Sequence, residues 1–256
     1  MPYVHETPNS LNQSVWSACE ILNYLTGKGW CRLKDISEDL NMDVARAHRL
    51  LRTLVLQDYA QYDPDTHKYS LGLKFFTISY SMSRDVLISA ARPHLEYAAS
   101  ELFETINLGM LDSNKAKLIH VYRVYGNLSK SFKDVALGVS RYVNESALGK
   151  CILAYLPYAE QQDVLNRLEF RRHTSKTLMN KTALQQDLIE TKKRGYAFDD
   201  EEIEPGVFCF AVPIIDSNKN CIAAASVSMN EEPSPELAKH MIDVMKTAAS
   251  RISKML

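Results

Sequence analysis

The run from Asp43 to Leu54, Asp-Val-Ala-Arg-Ala-His-Arg-Leu-Leu-Arg-Thr-Leu, concentrates more potential chemistry than any other stretch of this chain. As a helix advancing about 100° per residue, it turns Ala47, Leu50, Leu51 and Leu54 to one side at i, i+3, i+4 and i+7 spacing. Ala45, Arg49 and Arg52 project from the opposite side, flanked by Arg46 and His48. Three arginines and no acidic residue stand between Val44 and Leu54. A helix with an apolar back and a cationic front can dock on a protein core and present guanidinium groups to phosphates and guanine edges.

Neighbouring elements must hold that helix. Leu11, Val15, Ala18, Leu22 and Leu25 recur at four-three-four-three spacing and predict an amphipathic helix over 11–26, closed at Gly27. Leu33, Ile36 and Leu40 mark a second, short helix, and Asn41-Met42-Asp43 is a break in which Asp43 suits an N-cap. Helix, helix, tight turn and cationic helix is helix-turn-helix order. Residues 59–62 and 68–71 predict two strands around the turn Asp63-Pro64-Asp65-Thr66-His67, a wing that would bring Lys68 and His67 to the phosphates. Residues 1–71 nevertheless carry seven Lys/Arg against nine Asp/Glu, a net of −2. Cation gathered on one face of an acidic module points to a paired, specific DNA reader that sums two weak half-site contacts, and away from an architectural protein.

The whole chain narrows the classes further. Its 256 residues, 46% hydrophobic and with a net charge of −1, suffice for two cores and do not describe a general nucleic-acid coat. Five cysteines without CxxC pairing and seven histidines without HxH or HExxH spacing predict a reducing, cytoplasmic setting and no structural metal. No signal-peptide pattern opens the chain, and no apolar run approaches the ~18 residues of a membrane span. With nine glycines and no Gly-rich phosphate loop, no nucleotide cofactor is expected.

Beyond the wing, Leu73, Phe76, Ile78, Tyr80 and Met82 predict a linker helix over 73–90, suited to dimerisation and to coupling between domains, with Pro93 marking a break or a fresh start. Strands are predicted over 105–111, 116–124, 128–135, 208–215 and 221–229, and helices over 146–156, 157–168, 181–194 and 235–255. Antiparallel hairpins with helices against them make an α+β sensor-like domain. The expected layout is a DNA-binding domain over 8–72, the linker over 73–90 and an effector domain over 91–256.

The chain resembles, nearly end to end, the IclR family of bacterial transcription regulators. The resemblance rests on residues 11–25, on His48-Arg49-Leu50-Leu51 with Thr53-Leu54, and on Tyr69-Ser70-Leu71-Gly72. It continues through Ala147-Leu148-Gly149-Lys150, through 194–202 (Arg-Gly-Tyr-Ala-Phe-Asp-Asp-Glu-Glu), and through Pro205-Gly206-Val207 followed by Cys209. The resemblance implies a winged helix-turn-helix joined by a linker helix to a GAF-like mixed α/β effector domain. It also implies a homodimer or dimer-of-dimers tetramer whose grip on operator DNA changes with a small organic ligand. Where the family usually opens its recognition helix with a Pro-Lys-Ser-Thr-like sequence, Asp43-Val44-Ala45-Arg46 stands here. A different operator is therefore expected, with Arg46 reading guanine and Ala45 a thymine methyl.

Carried over from relatives, the effector-binding positions are the backbone at Ala147 and Leu148, then Asp199, Cys209, Ser226 and Ser228. The first two would offer unpaired N–H groups in the first turn of a helix, where an anion is favoured. Ser226 and Ser228 share one face of a strand, and an ionised Asp199 accepts from a hydroxyl. Such a set suits a 2-oxo acid or a sugar acid ahead of an aromatic one. Glu145, beside Asn144 where relatives often hold His-Ala, would compete with the anion or cap the helix. Two other classes stay open: a winged helix that contacts protein, and a hydrolase with Cys209 as nucleophile beside Asp199 and His120 or His173.

Overall fold

The structure, a computed structural model, describes residues 11–82, 86–126, 137–138 and 140–256. The chain divides into two compact units after Arg84, and each is described by itself.

The first unit opens with α1 (Gln13–Lys28), capped by the Asn12 side chain. This helix continues through Gly27 and ends instead at Gly29, whose φ of 70° closes it with a hydrogen bond back to Leu25. A short β1 (Cys31–Arg32) leads into α2 (Leu33–Asp39) and then α3 (Val44–Leu56). Between α2 and α3 the chain turns at Asn41, φ 48°, and the Asp43 side chain accepts from the Arg46 amide at 2.9 Å. That is the N-cap which sequence predicts at this position. Strands β2 (Ala60–Asp63) and β3 (Lys68–Leu71) form the wing hairpin, and β1 pairs with the outer side of β3. Ile21, Leu25, Ile36, Leu51 and Leu54 meet Cys31, Ala60 and Tyr69 in one core, so α3 buries the apolar stripe that its spacing predicts.

The predicted linker over 73–90 covers α4 (Lys74–Met82) and the first residues of α5 (Val86–Leu102). Helix α5 runs without a break through Pro93. Proline forfeits one backbone hydrogen bond there, but Leu87, Ala90, Ala91, Leu95, Ala98, Ala99 and Leu102 are all buried and hold the helix in register against the sheet.

The second unit is a six-stranded antiparallel sheet in the order β6-β5-β4-β9-β8-β7. Strands β4 (Thr105–Leu111), β5 (Lys117–Val124), β8 (Phe208–Ile215) and β9 (Cys221–Met229) fall where alternation and turn chemistry predict. The short β6 (Ser140–Tyr142) and β7 (Ala197–Asp200) are additional, and the strand expected over 128–135 lies outside the described residues. One sheet face packs on α5 and on α9 (Pro235–Ser253) through Ile106, Leu108, Phe210, Val212, Ala225 and Val227. The other receives α6 (Ala147–Tyr155), through Leu118, Ala147, Leu148, Ala211 and Ala224. Helices α7 (Tyr158–Arg167) and α8 (Lys181–Arg194) cover α6.

Candidate functional sites

The first site is the outward face of α3. Ala45, His48, Arg49 and Arg52 are exposed on it, with Val44 at its start. Arg46 behaves differently from what its sequence position suggests. Its Nη2 donates to the Gln13 carbonyl at 3.0 Å and to Ser17 Oγ at 2.8 Å, so its guanidinium is spent fastening α3 to α1. Lys68 is half-buried on β3, in register with Arg32 on one side and Asp63 on the other. In the wing, Tyr62 Oη and His67 Nδ1 lie 2.6 Å apart, which ties the histidine to the hairpin.

The second site is a cavity of about 110 Å³ on the α6 side of the large sheet. A track of polar side chains crosses five strands along its floor. Arg123 on β5 donates through Nε to Asn107 Oδ1 on β4 at 2.6 Å. Asn107 donates to Ser228 Oγ on β9 at 3.2 Å, and the Cys209 thiol on β8 donates to that same oxygen at 3.2 Å. Asp199 on β7 stands opposite Cys209 in register. All five line the cavity. Elsewhere on this face the sheet carries residues such as Leu118, Ala211 and Ala224.

A β-bulge sets the far end of the track. Register shifts between Leu108 and Gly109, where β4 pairs with Tyr122 and then His120. The extra residue places His120 and Arg123, three apart, together on the cavity wall, where strict alternation would separate them. Arg141 of β6 joins them. Burial, reinforced by the Arg123 and Arg141 charges, lowers His120 to about 4, so the ring is neutral at physiological pH.

Asp199 is fixed from behind. Its Oδ1 accepts from the Glu202 amide at 2.9 Å. Burial raises its pKa, against the opposing pull of the Lys150 ammonium. Lys150, fully buried on α6, donates to the Phe198 carbonyl at 2.7 Å and to Glu202 Oε1 at 2.5 Å, and pairs with Asp187 of α8 at 3.2 Å. Burial works against its charge, but Glu202 and Asp187 outweigh that and hold its pKa above the ordinary value. Glu202 is pushed up to about 7 by burial despite Lys150. One lysine thus joins α6, α8 and the turn after β7.

The inferred effector positions divide by place. Asp199, Cys209 and Ser228 line the cavity together. Ser226 shares the strand face of Ser228 but is buried opposite Asn107 and Ala211, within the wall. Ala147 and Leu148 are buried in the first turn of α6, whose cap residue Ser146 reaches the cavity and accepts from the Gly149 amide at 3.2 Å. Gly149 is required there, since a Cβ would lie 2.2 Å from the Val143 carbonyl oxygen. Glu145 points one oxygen at the Tyr142 amide, 3.3 Å, and the other at His173 Nε2, 3.1 Å. It therefore closes the turn that precedes α6, while the cap of α6 itself, expected of Glu145, is Ser146. Asn107, His120, Arg123 and Arg141 are functional candidates that sequence reasoning missed. Asn107 sits in an apolar strand, which was its available signal; the bulge had none.

Nothing here makes Cys209 a nucleophile. Burial and the neighbouring Asp199 raise its thiol pKa well above the ordinary value, it bonds to Ser228, and His173 is bonded to Glu145. No cluster of His, Cys, Asp and Glu that could hold a metal ion occurs among the described residues, and no helix among them is long and apolar enough to cross a membrane.

Comparison with known proteins agrees with this architecture. Residues 17–64 match the sequence model of the IclR helix-turn-helix domain, and residues 79–254 that of the bacterial transcriptional regulator IclR C-terminal region. The HTH-type transcriptional regulator XynR of Escherichia coli K12 is 31% identical over 218 residues, 84% of this chain and 85% of its own length. The transcriptional repressor IclR of the same strain is 28% identical over 219 residues, 84% of this chain and 79% of its own. Among solved structures, the IclR of Thermotoga maritima superposes with a TM-score of 0.74 at 29% identity, covering 94% of this chain and 97% of that one.

Proposed function

The chain belongs to the IclR family of bacterial transcription regulators, and on that premise we propose that it represses transcription by gripping operator DNA through the exposed face of α3 and is controlled by a small organic acid held in the cavity of its second unit. It is a regulator and not an enzyme. The observation that carries the DNA reading is the acid-free surface of Ala45, His48, Arg49 and Arg52, which faces water and has the chemistry to meet phosphates and base edges. Lys68 adds a phosphate contact from the wing. Repression is supported by the relative named a repressor.

In this reading residues 8–72 bind DNA, 73–90 link and dimerise, and 91–256 sense the ligand. The protein acts as a homodimer, because the acidic balance of the first 71 residues leaves one module too weak by itself, and family resemblance alone extends this to a dimer of dimers. The ligand is a 2-oxo or sugar acid. Asp199 accepts from a hydroxyl, Ser228 and Cys209 meet a carbonyl or hydroxyl, and Ser226 with the first turn of α6 at Ala147 and Leu148 backs the wall. Binding to one arrangement of the domain by about 1–3 kcal/mol more than to another changes operator affinity ~5- to 150-fold. A gel shift on the intergenic DNA upstream of the gene, repeated with a panel of such acids, tests the proposal. Retardation altered by one acid is expected; retardation indifferent to every acid removes the ligand, and none at all removes the DNA reading.

A further inference from the structure

The cavity has two chemically different ends. Toward β7 it offers acceptors, Asp199 and Glu204. Toward β5 and β6 it offers Arg123, Arg141 and His120. His120 is only 8% exposed, and its enclosed Nδ1 has no hydrogen-bond partner among the described residues. Arg141 is half-buried beside it, with no carboxylate paired to it among the described residues. A partnerless imidazole nitrogen and a guanidinium without a carboxylate give this end of the cavity donors and positive charge to offer an anion. At the α6 end the cavity lining includes instead the Glu145 carboxylate.

We propose that Arg141, Arg123 and His120 form a carboxylate subsite, so that the effector lies with its acid group against β5 and β6 and its hydroxyl or carbonyl end toward Asp199. This rests on the proposal that the cavity binds an organic acid, and it reverses the polarity expected of an anion seated on the first turn of α6. Guanidinium groups recognise carboxylates by charge-assisted, often bidentate hydrogen bonds. A neutral imidazole adds one donor without adding charge. The polar track then acts as a ruler from Arg123 to Asp199, favouring acids with an oxygen function beyond the carboxylate and disfavouring neutral analogues.

Calorimetric titration of the full chain with pyruvate and with gluconate, each against its uncharged amide, decides the matter. Arg141→Gln should weaken the acid that binds by about 10- to 100-fold, the scale of one lost hydrogen bond to a charged group. Arg141→Lys should recover part of that loss, and the amides should not distinguish wild type from Arg141→Gln. Equal acid affinity in wild type and Arg141→Gln, with the loss appearing instead in Ser228→Ala, overturns the subsite and leaves the organic-acid cavity standing. Failure of both acids to bind wild type overturns both. A measurement on the unmodified protein guards against misfolding of the variant: the imidazole nitrogen resonances of His120 should move on saturation with the acid that binds, and unmoved resonances overturn the subsite.

Discussion

In α3 the exposed Ala45, His48, Arg49 and Arg52 lie within one short stretch and face water, whereas the cavity draws Arg123, Asn107, Ser228, Cys209 and Asp199 from five strands, with partners up to 121 positions apart. The helix makes its surface from its own periodicity, and changing one exposed residue alters one contact. The cavity depends on sheet register, on a bulge and on a buried ion cluster behind Asp199, so each side chain there also supports its neighbours. A surface of the first kind can change its operator by substitution at single sites. A site of the second kind changes only when its register, its bulge and its ion cluster change together.

The largest expected effect sharpens this contrast from the buried side. Lys150→Met strands the buried Glu202 without its cation and leaves Asp187 only its pair with Arg194, so it should destabilise the second unit by about 3–5 kcal/mol in urea unfolding, whereas Arg49→Ala should leave the unfolding midpoint unchanged. Next comes the reverse case. Arg49→Ala or Arg52→Ala should each cost about 1–3 kcal/mol in operator binding, and if the lost contact is to a phosphate, the salt dependence should also shrink by about one ion. Arg46→Ala tests the boundary between the two kinds of residue. Its contacts to Gln13 and Ser17 predict a fall in stability of about 1–3 kcal/mol, with base preference retained; a changed operator preference at unchanged stability would mean that Arg46 leaves α1 to read DNA.

A pH series gives an effect of similar size. His120 sits at about 4 in the folded protein against 6.5 ordinarily. The folded state therefore binds fewer protons than the unfolded one between those values, and stability from this residue is lost as pH falls through that window. Relative to His120→Gln, the wild type should lose about 3 kcal/mol between pH 6.5 and 4; a constant difference across the series would show that the ring is not held neutral. The smallest effect expected is that of Ser228→Ala, which removes the acceptor of both Asn107 and Cys209 and should cost about 1–2 kcal/mol of stability.

Legibility in the sequence follows the same division. Helix α3, its Asp43 cap, the wing and strands β4, β8 and β9 are all local patterns, and each lies where spacing and turn residues place it. Pro93 misled because packing along α5 outweighs one missing hydrogen bond. Gly27 misled because the left-handed turn that ends α1 is taken two residues later. Arg46 looked like a reader of bases since periodicity gives the direction of a side chain and not its partner on another helix. Asp199, Cys209 and Ser228 were reached through family motifs, and strand alternation alone would not have united them. His120 and Arg123 were beyond reach: only the bulge at β4 and β5 brings them to one wall.

Fluorescence anisotropy on the gene's own upstream DNA tests whether the face of α3 reads DNA and answers to an acid in the cavity. Wild type, the double variant Arg49→Ala with Arg52→Ala, and wild type with each organic acid are compared at one salt concentration. Saturable binding by wild type is expected, with its loss in the double variant at unchanged melting temperature and a shift with at least one acid. Wild-type affinity in the double variant would contradict a DNA-reading face on α3.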